Sequence, residues 1–225
     1  MRIFPSILEQ SRQAIQEKLD ATPASIKEVQ IDICDGVFVP SKTYGSTGAL
    51  KSLQSIRRMT KGRILELDLM VDLHKARRCK RFLSHVKAIH PERIILHYGV
   101  TDNWGMVFAR LVRRGKLEMQ VGLGVHIKHN NNDIYELLEE YPFSFIQVMG
   151  IEQVGFSGQL FSKKTYAKIK ALRKRYPDMP ISVDGGVKLS NAEKLKQAGA
   201  TRICPNSGLF GTTDVTATYK QFKKI

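Results

Sequence analysis

No apolar run in this chain approaches the roughly 20 residues that a membrane-spanning helix needs. The start, MRIFPSILEQ, lacks a cationic segment followed by an apolar core, so no signal peptide is expected. Cysteine is scarce and odd in number. Cys34, Cys79 and Cys204 stand far apart without a CxxC pair, which argues against a disulfide framework and suits a reducing cytoplasm. No low-complexity tract, linker or composition shift divides the 225 residues, so residues 1–225 are expected to form one domain. No GxGxxG follows an early strand, which removes the fingerprint of a dinucleotide-binding open sheet.

Acid is also short. Asp and Glu number 21 against 36 Lys and Arg, a net charge of +15. Nucleic acid is the obvious partner for such a balance. The basic residues, however, follow helical spacing. They fall in Lys75, Arg77, Arg78, Lys80 and Arg81, in Arg110, Arg113 and Arg114, and in a run from Lys163 through Lys168 to Arg175. Spread over several elements, they read as solvated outer faces rather than one nucleic-acid stripe. Attraction of an anionic substrate is the more economical explanation.

What is present is alternation. Short apolar strands are predicted at Arg2–Phe4, Glu28–Ile33, Ile64–Met70, Arg93–His97, Glu118–Leu123, Phe143–Met149, Pro180–Asp184 and Thr201–Pro205. Helical spacing follows each: to about Leu19, then Thr47–Arg57, Lys75–Ile89, Trp104–Arg114, Asp133–Glu140, Lys163–Tyr176, Ala192–Ala198 and Val215–Lys223. Strands that alternate with helices imply a parallel sheet, and eight such units fit an α/β fold of the (β/α)8 TIM-barrel type. Active sites of that fold lie at the carboxyl ends of the strands. The polar residues there are Ser6, Asp32, Asp68, His97 and Asp184. Asp32 sits between Ile31 and Ile33, where a carboxylate is costly unless paired, bound to metal or kept for chemistry. Asp35, before Gly36, reads equally well as the cap of a turn.

Three late loops carry glycine: Gly155-Phe156-Ser157-Gly158, Asp184-Gly185-Gly186 and Asn206-Ser207-Gly208. Glycine lets backbone N–H groups approach an anion, and barrels often grip phosphate with the loops after strands seven and eight. The order points to a phosphorylated substrate.

The motifs PSIL (5–8), IDICDGVFVP (31–40), ELDLMV (66–71), VMGIEQVGFSGQLF (148–161), VDGGV (183–187) and NSGLFG (206–211) together resemble the ribulose-phosphate 3-epimerase family over nearly the full length. The resemblance implies a cytoplasmic, homo-oligomeric isomerase acting on a sugar phosphate. The expected reaction inverts C3 of D-ribulose 5-phosphate. Allulose 6-phosphate, a ketohexose phosphate, is the alternative substrate. It implies Asp32 and Asp184 as the catalytic pair and Ser6 at the sugar. Gly155 to Gly158, Gly185, Gly186, Asn206 and Ser207 would hold the phosphate end, with Asp68 and His97 as further contacts. Cys34, Met70 and Met149 would form a dry, polarizable wall.

The pattern also breaks. The family's two metal-ligand histidines correspond here to Gln30 and Asp68, so the ligand set becomes Gln30, Asp32, Asp68 and Asp184. Such an all-oxygen set suits Mg, Mn or Ca better than Zn. Three states are open: a hard divalent metal, no metal with a proton shared among the acids, or a catalytically silent phosphosugar-binding paralogue. Val37 and Ser41 replace a histidine and an asparagine of the second-strand motif, and the long loop lacks the usual proline before Gly155.

Overall fold

The computed structural model describes residues 1–113 and 115–225. Arg114, and the side chain of Arg113, lie outside the described residues, so those two members of the second basic group and the last residue of the helix predicted over Trp104–Arg114 lie there too.

The chain folds as a TIM barrel. We label its strands β1 (in two pieces, Arg2–Ile3 and Ser6–Ile7), β2 (Glu28–Cys34), β3 (Ile64–Met70), β4 (Arg93–His97), β5 (Gln120–His126), β6 (Phe145–Met149), β7 (Ile181–Asp184) and β8 (Arg202–Cys204). All neighbours pair in parallel. Pro5 divides β1, since it has no N–H to give the ladder. The two pieces close the barrel: Arg2 pairs with Arg202 on β8, and Ser6 pairs with Gln30 on β2. The outer helices are α1 (Arg12–Ala21), α2 (Leu50–Met59), α3 (Ala76–Ala88), α4 (Trp104–Leu111), α5 (Asn131–Glu140), α6 (Lys164–Arg175), α7 (Leu189–Ala198), the short α8 (Ser207–Phe210) and α9 (Val215–Lys224).

Period-two alternation builds two cores. On β2, Val29, Ile31 and Ile33 point outward into the layer beneath the helices, where they join Leu65, Leu67 and Leu69 of β3. The other residues of these strands face the barrel axis: Gln30, Asp32, Glu66 and Asp68 make it polar and are all buried, and Cys34 and Met70 follow at its carboxyl end.

Several element ends differ from the sequence expectation, each for a local reason. β5 runs on to His126 rather than stopping at Leu123, because glycine there is a packing requirement and not a break. A Cβ at Gly124 would meet the His97 ring at 2.8 Å, and one at Gly122 would meet Phe145 at 2.3 Å. β6 begins at Phe145, since Phe143 leaves the sheet to pack edge-on against Phe108 at 5.0 Å. α2 starts at Leu50 and not Thr47, because Gly48 has φ +64°, outside the helical region. α4 ends at Leu111, where the β-branched Val112 turns extended and pairs with Leu117 in a small hairpin that the helical spacing did not anticipate.

The basic faces need one correction. Lys75, Arg77, Lys80 and Arg81 are exposed as expected. Lys168 is buried instead: its ammonium donates to Asn131 Oδ1 at 2.8 Å and to the His129 carbonyl. Arg173 is half-buried and donates to the backbone carbonyls of Gly199 and Met179 at 2.8 and 3.0 Å. Both serve as braces for loops rather than as solvated charge. Among the described residues no helix is long and apolar enough to cross a membrane.

Candidate active site

Residues alternating along β2, β3 and β7 put three carboxylates at one height inside the barrel. Asp32 and Asp68 are register partners. Asp184 ends β7. One oxygen from each of Asp32, Asp68 and Asp184 lies within 4.8 Å of the others, and all three residues are buried.

Each acid has a specific amide or imidazole neighbour. The Gln30 amide nitrogen donates to Asp32 Oδ1 at 2.8 Å and to Asp184 Oδ2 at 2.6 Å, so one NH2 group ties two carboxylates from different sides of the barrel. Asp68 is held separately: His97 Nε2 lies 2.6 Å from Oδ1, and Gln147 Nε2 donates to Oδ2 at 2.9 Å. Asp184 Oδ1 also accepts the Gly185 N–H at 2.6 Å and the Ser6 hydroxyl at 3.5 Å.

Burial dominates the electrostatics. It raises the Asp32 carboxyl well above the ordinary value near 3.8, and the neighbouring Asp184 and Asp68 raise it further. Asp184 is pushed up to about 7 by burial and then by Asp68, against the lowering effect of the Gln30 hydrogen bond. A carboxyl with a raised folded pKa favours the fold below its ordinary value and loses that advantage as pH climbs through the folded value. Asn mimics the protonated acid. Asp184→Asn should therefore gain stability on the parent between about pH 5 and pH 8, by on the order of 2 kcal/mol. Urea melts in EDTA at the two pH values measure this; a difference that shrinks as pH rises would contradict it.

Above the acids lies a small cleft bordered by the glycine loops. Asp32, Asp184 and Ser6 form its floor, and Met70 and Met149 form part of its wall. Gly155, Phe156, Ser157 and Gly158 bound one side, and Gly185, Gly186, Asn206 and Ser207 another. Gly186 has φ +68°, and a Cβ there would meet the Phe161 backbone at 2.8 Å, so only glycine fits between the two loops.

The loop between Gly150 and Phe161 lies across the mouth. Val154 packs against the buried group Cys34, Val39 and Met70. Gly155 sits so close to Ser41 that a Cβ would come within 2.7 Å of its hydroxyl. The turn after β2 is fixed by Asp35, which accepts N–H bonds from Val37, Phe38 and Asp72 at 2.8, 2.9 and 2.8 Å and pairs with Arg78. Asp35 is thus an anchor for the mouth and not a member of the acid cluster.

Three residues sit differently from the sequence expectation. Asp68 and His97 do not line the cavity; they lie beneath its floor as a hydrogen-bonded pair. Cys34 is one layer behind the wall, with Sγ 3.9 Å from Met70 Sδ. Gln147 was missed. Its signal was a polar residue at an inward position of the apolar strand FIQVM, the same pattern that singled out Asp32.

The donor set bears on a metal. Three carboxylates converge here, and Gln30 Oε1 is a buried oxygen without a hydrogen-bond partner. With no imidazole or thiolate among Gln30, Asp32, Asp68 and Asp184, the set fits a hard divalent cation better than Zn.

Comparison with known proteins places these features in a lineage. The sequence model of the ribulose-phosphate 3 epimerase family matches residues 2–210. A ribulose-phosphate 3-epimerase of Oryza sativa, named as the cytoplasmic isoform, is 31% identical over 188 residues, which is 83% of this chain and 76% of the relative. The ribulose-phosphate 3-epimerase of Aquifex aeolicus is 25% identical and covers 99% of this chain and 96% of its own. Among solved structures, a 3-hexulose-6-phosphate synthase superposes with a TM-score of 0.68 at 16% identity, over 100% of this chain and 99% of that one. The orotidine 5'-monophosphate decarboxylase of Methanocaldococcus jannaschii gives 0.66 at 10% identity, over 100% and 98%. At such identities the two structures establish the shared barrel alone.

Proposed function

Because this chain belongs to the ribulose-phosphate 3-epimerase family, we propose that it inverts C3 of a ketose phosphate, D-ribulose 5-phosphate to D-xylulose 5-phosphate, by proton exchange with Asp32 and Asp184. One observation carries the reading. Carboxylates from β2 and β7 converge on a single NH2 group at the floor of the cavity, at 2.8 and 2.6 Å. Inversion of a carbon beside a ketone needs a base on one face and an acid on the other. Two buried carboxyls with raised pKa values, each lifted by burial and by Asp68, supply that pair near neutral pH, one ionised and one protonated.

The step is redox-neutral. The ionised carboxylate takes the C3 proton. The electron pair of that C–H bond forms a C2–C3 double bond, and the carbonyl oxygen becomes an oxyanion. The protonated carboxyl returns a proton to C3 from the opposite face, and the carbonyl re-forms. Gln30 keeps the two acids in a common frame. The Asp68–His97–Gln147 group holds a third carboxylate beneath them and so sustains their raised values. Met70 and Met149 keep the reacting face dry.

A divalent cation, if bound, would be held by Asp32, Asp68 and Asp184, with the Gln30 oxygen joining them once its amide turns over from its present hydrogen bonds, and would supply Lewis-acid stabilisation of the oxyanion. Mn2+ titration followed by electron paramagnetic resonance tests this. One site per chain, lost in Asp68→Ala, is the expected result; no loss of free Mn2+ signal would remove the metal from the reading. The Oryza sativa relative's name supports a cytoplasmic setting.

The test of the reaction is proton exchange. Incubation with ribulose 5-phosphate in heavy water, with and without Mn2+, should place deuterium at C3 and yield xylulose 5-phosphate. Exchange only with allulose 6-phosphate would move the substrate to a hexose phosphate. No exchange with either, under any metal condition, would leave a phosphosugar-binding protein without this chemistry.

A further inference from the structure

A phosphorylated ligand faces an electrostatic problem in this cavity. Its floor holds Asp32 and Asp184, with Asp68 beneath, and among the described residues no Lys or Arg lines it, although the chain has 36 of them. A phosphate dianion would meet buried carboxylates with no cation in the wall. Backbone N–H groups of the glycine loops donate hydrogen bonds but carry no net charge.

One cation reaches the wall from behind. Lys18, in the last turn of α1, donates to the side-chain oxygen of Asn206 at 2.8 Å, and Asn206 lines the cavity beside Ser207. Glu9 Oε1 lies 2.7 Å from the same ammonium, and the Phe210 ring centroid 5.1 Å from it. These contacts hold a long, flexible side chain in one place. The consequence lies in the carboxamide. An ammonium can only donate, so Asn206 must turn its oxygen toward Lys18. Its NH2 group then lies on the other side of the amide carbon, where it can donate to an anion.

Resting on the phosphosugar reading above, we propose that Lys18 is a positioning residue for the substrate phosphate: it fixes the Asn206 amide with its donors toward the anion and sets the positive end of the Lys18–Glu9 ion pair behind that amide. Glu9 balances the formal charge of Lys18, so what reaches Asn206 is the positive end of an ion pair.

Binding of inorganic phosphate to the full chain, followed by phosphorus-31 NMR, tests this apart from turnover. Lys18→Met should weaken phosphate binding about tenfold, and Lys18→Arg should restore most of it. Asn206→Asp keeps the size and the acceptor for Lys18 but replaces the NH2 with a carboxylate oxygen, and should weaken binding at least as much. With ribulose 5-phosphate, the loss in Lys18→Met should be carried by KM rather than kcat, which a general loss of structure would not produce. Phosphate affinity unchanged in Lys18→Met would overturn the proposal, whatever Asn206→Asp does, while leaving the epimerase reading in place. A parent chain that neither binds phosphate nor exchanges the C3 proton would overturn both.

Discussion

Asp32→Asn and Asp184→Asn should each abolish epimerisation, with a fall of at least about 10³-fold, the scale of a lost general acid or base. Asn keeps the size and the hydrogen-bonding shape of Asp, so Gln30 still finds an acceptor at each position and the floor need not collapse. What Asn cannot do is take or give the C3 proton. The two variants should differ in which ligand still exchanges. If the acids serve opposite faces, Asp32→Asn leaves Asp184 able to remove and return a proton on its own face, and the reverse holds for Asp184→Asn. Each variant should therefore wash deuterium into one epimer of the substrate and not the other, in complementary fashion, with no interconversion. Proton NMR in heavy water, started separately from ribulose 5-phosphate and xylulose 5-phosphate, reads both outcomes. Interconversion at near-parent rates in either variant would refute the assignment of acid and base.

Those two residues were legible because a carboxylate between branched aliphatics contradicts its surroundings, and the contradiction stands out without any structure. The same alternation gave the barrel, since β2 and β3 each show apolar residues at every second position. What stayed hidden was pairing. Asp68 reads the same as Asp32 along the chain, yet the structure binds it to His97 and Gln147 beneath the floor and away from the cavity. Its fate depends on β4 and β6, strands more than 25 residues away, as their separations of 29 and 79 residues show. Lys18 was hidden for a similar reason. It looks like any solvated helix lysine until α1 packs beside the loop after β8, 188 residues on. Lys168 misled the reading of the basic face in the opposite sense, because nothing in its helix foretells that His129 and Asn131 will cover it. Glycine caused the error in β5: its low strand propensity is a local quantity, while its use under the His97 ring is a tertiary one.

Glu66→Ala should cost about 3–5 kcal/mol of stability, the range for removing one partner of a buried ion pair. Glu66 is fully buried near the amino-terminal end of the barrel, one inward position before Asp68 on β3. Its Oε2 accepts from Arg93 Nε at 3.0 Å and pairs with Arg202, so one carboxylate is shared by two guanidinium groups that are 7% and 4% exposed. Arg93 has a second acid, Glu28, at 3.3 Å. Arg202 has the aromatic faces of Phe4 and Phe145 at 3.9 and 4.4 Å from its guanidinium carbon, which soften its burial without neutralising it. Removal of Glu66 therefore strands Arg202 more than Arg93. The loss should be smaller for Glu66→Gln, which keeps an acceptor oxygen, and should be partly repaired in Glu66→Ala when Arg202→Met removes the stranded charge. For a chain of this size the single change should lower Tm by roughly 6–20 °C, at about 2–4 °C per kcal/mol. Urea melts of the parent, the two single variants and the double variant give the coupling energy directly. If Glu66→Ala and Arg202→Met destabilise independently and their costs add, the two groups do not depend on each other, and the layer of charge below the active site would have to be held by packing around Phe4 and Phe145 alone.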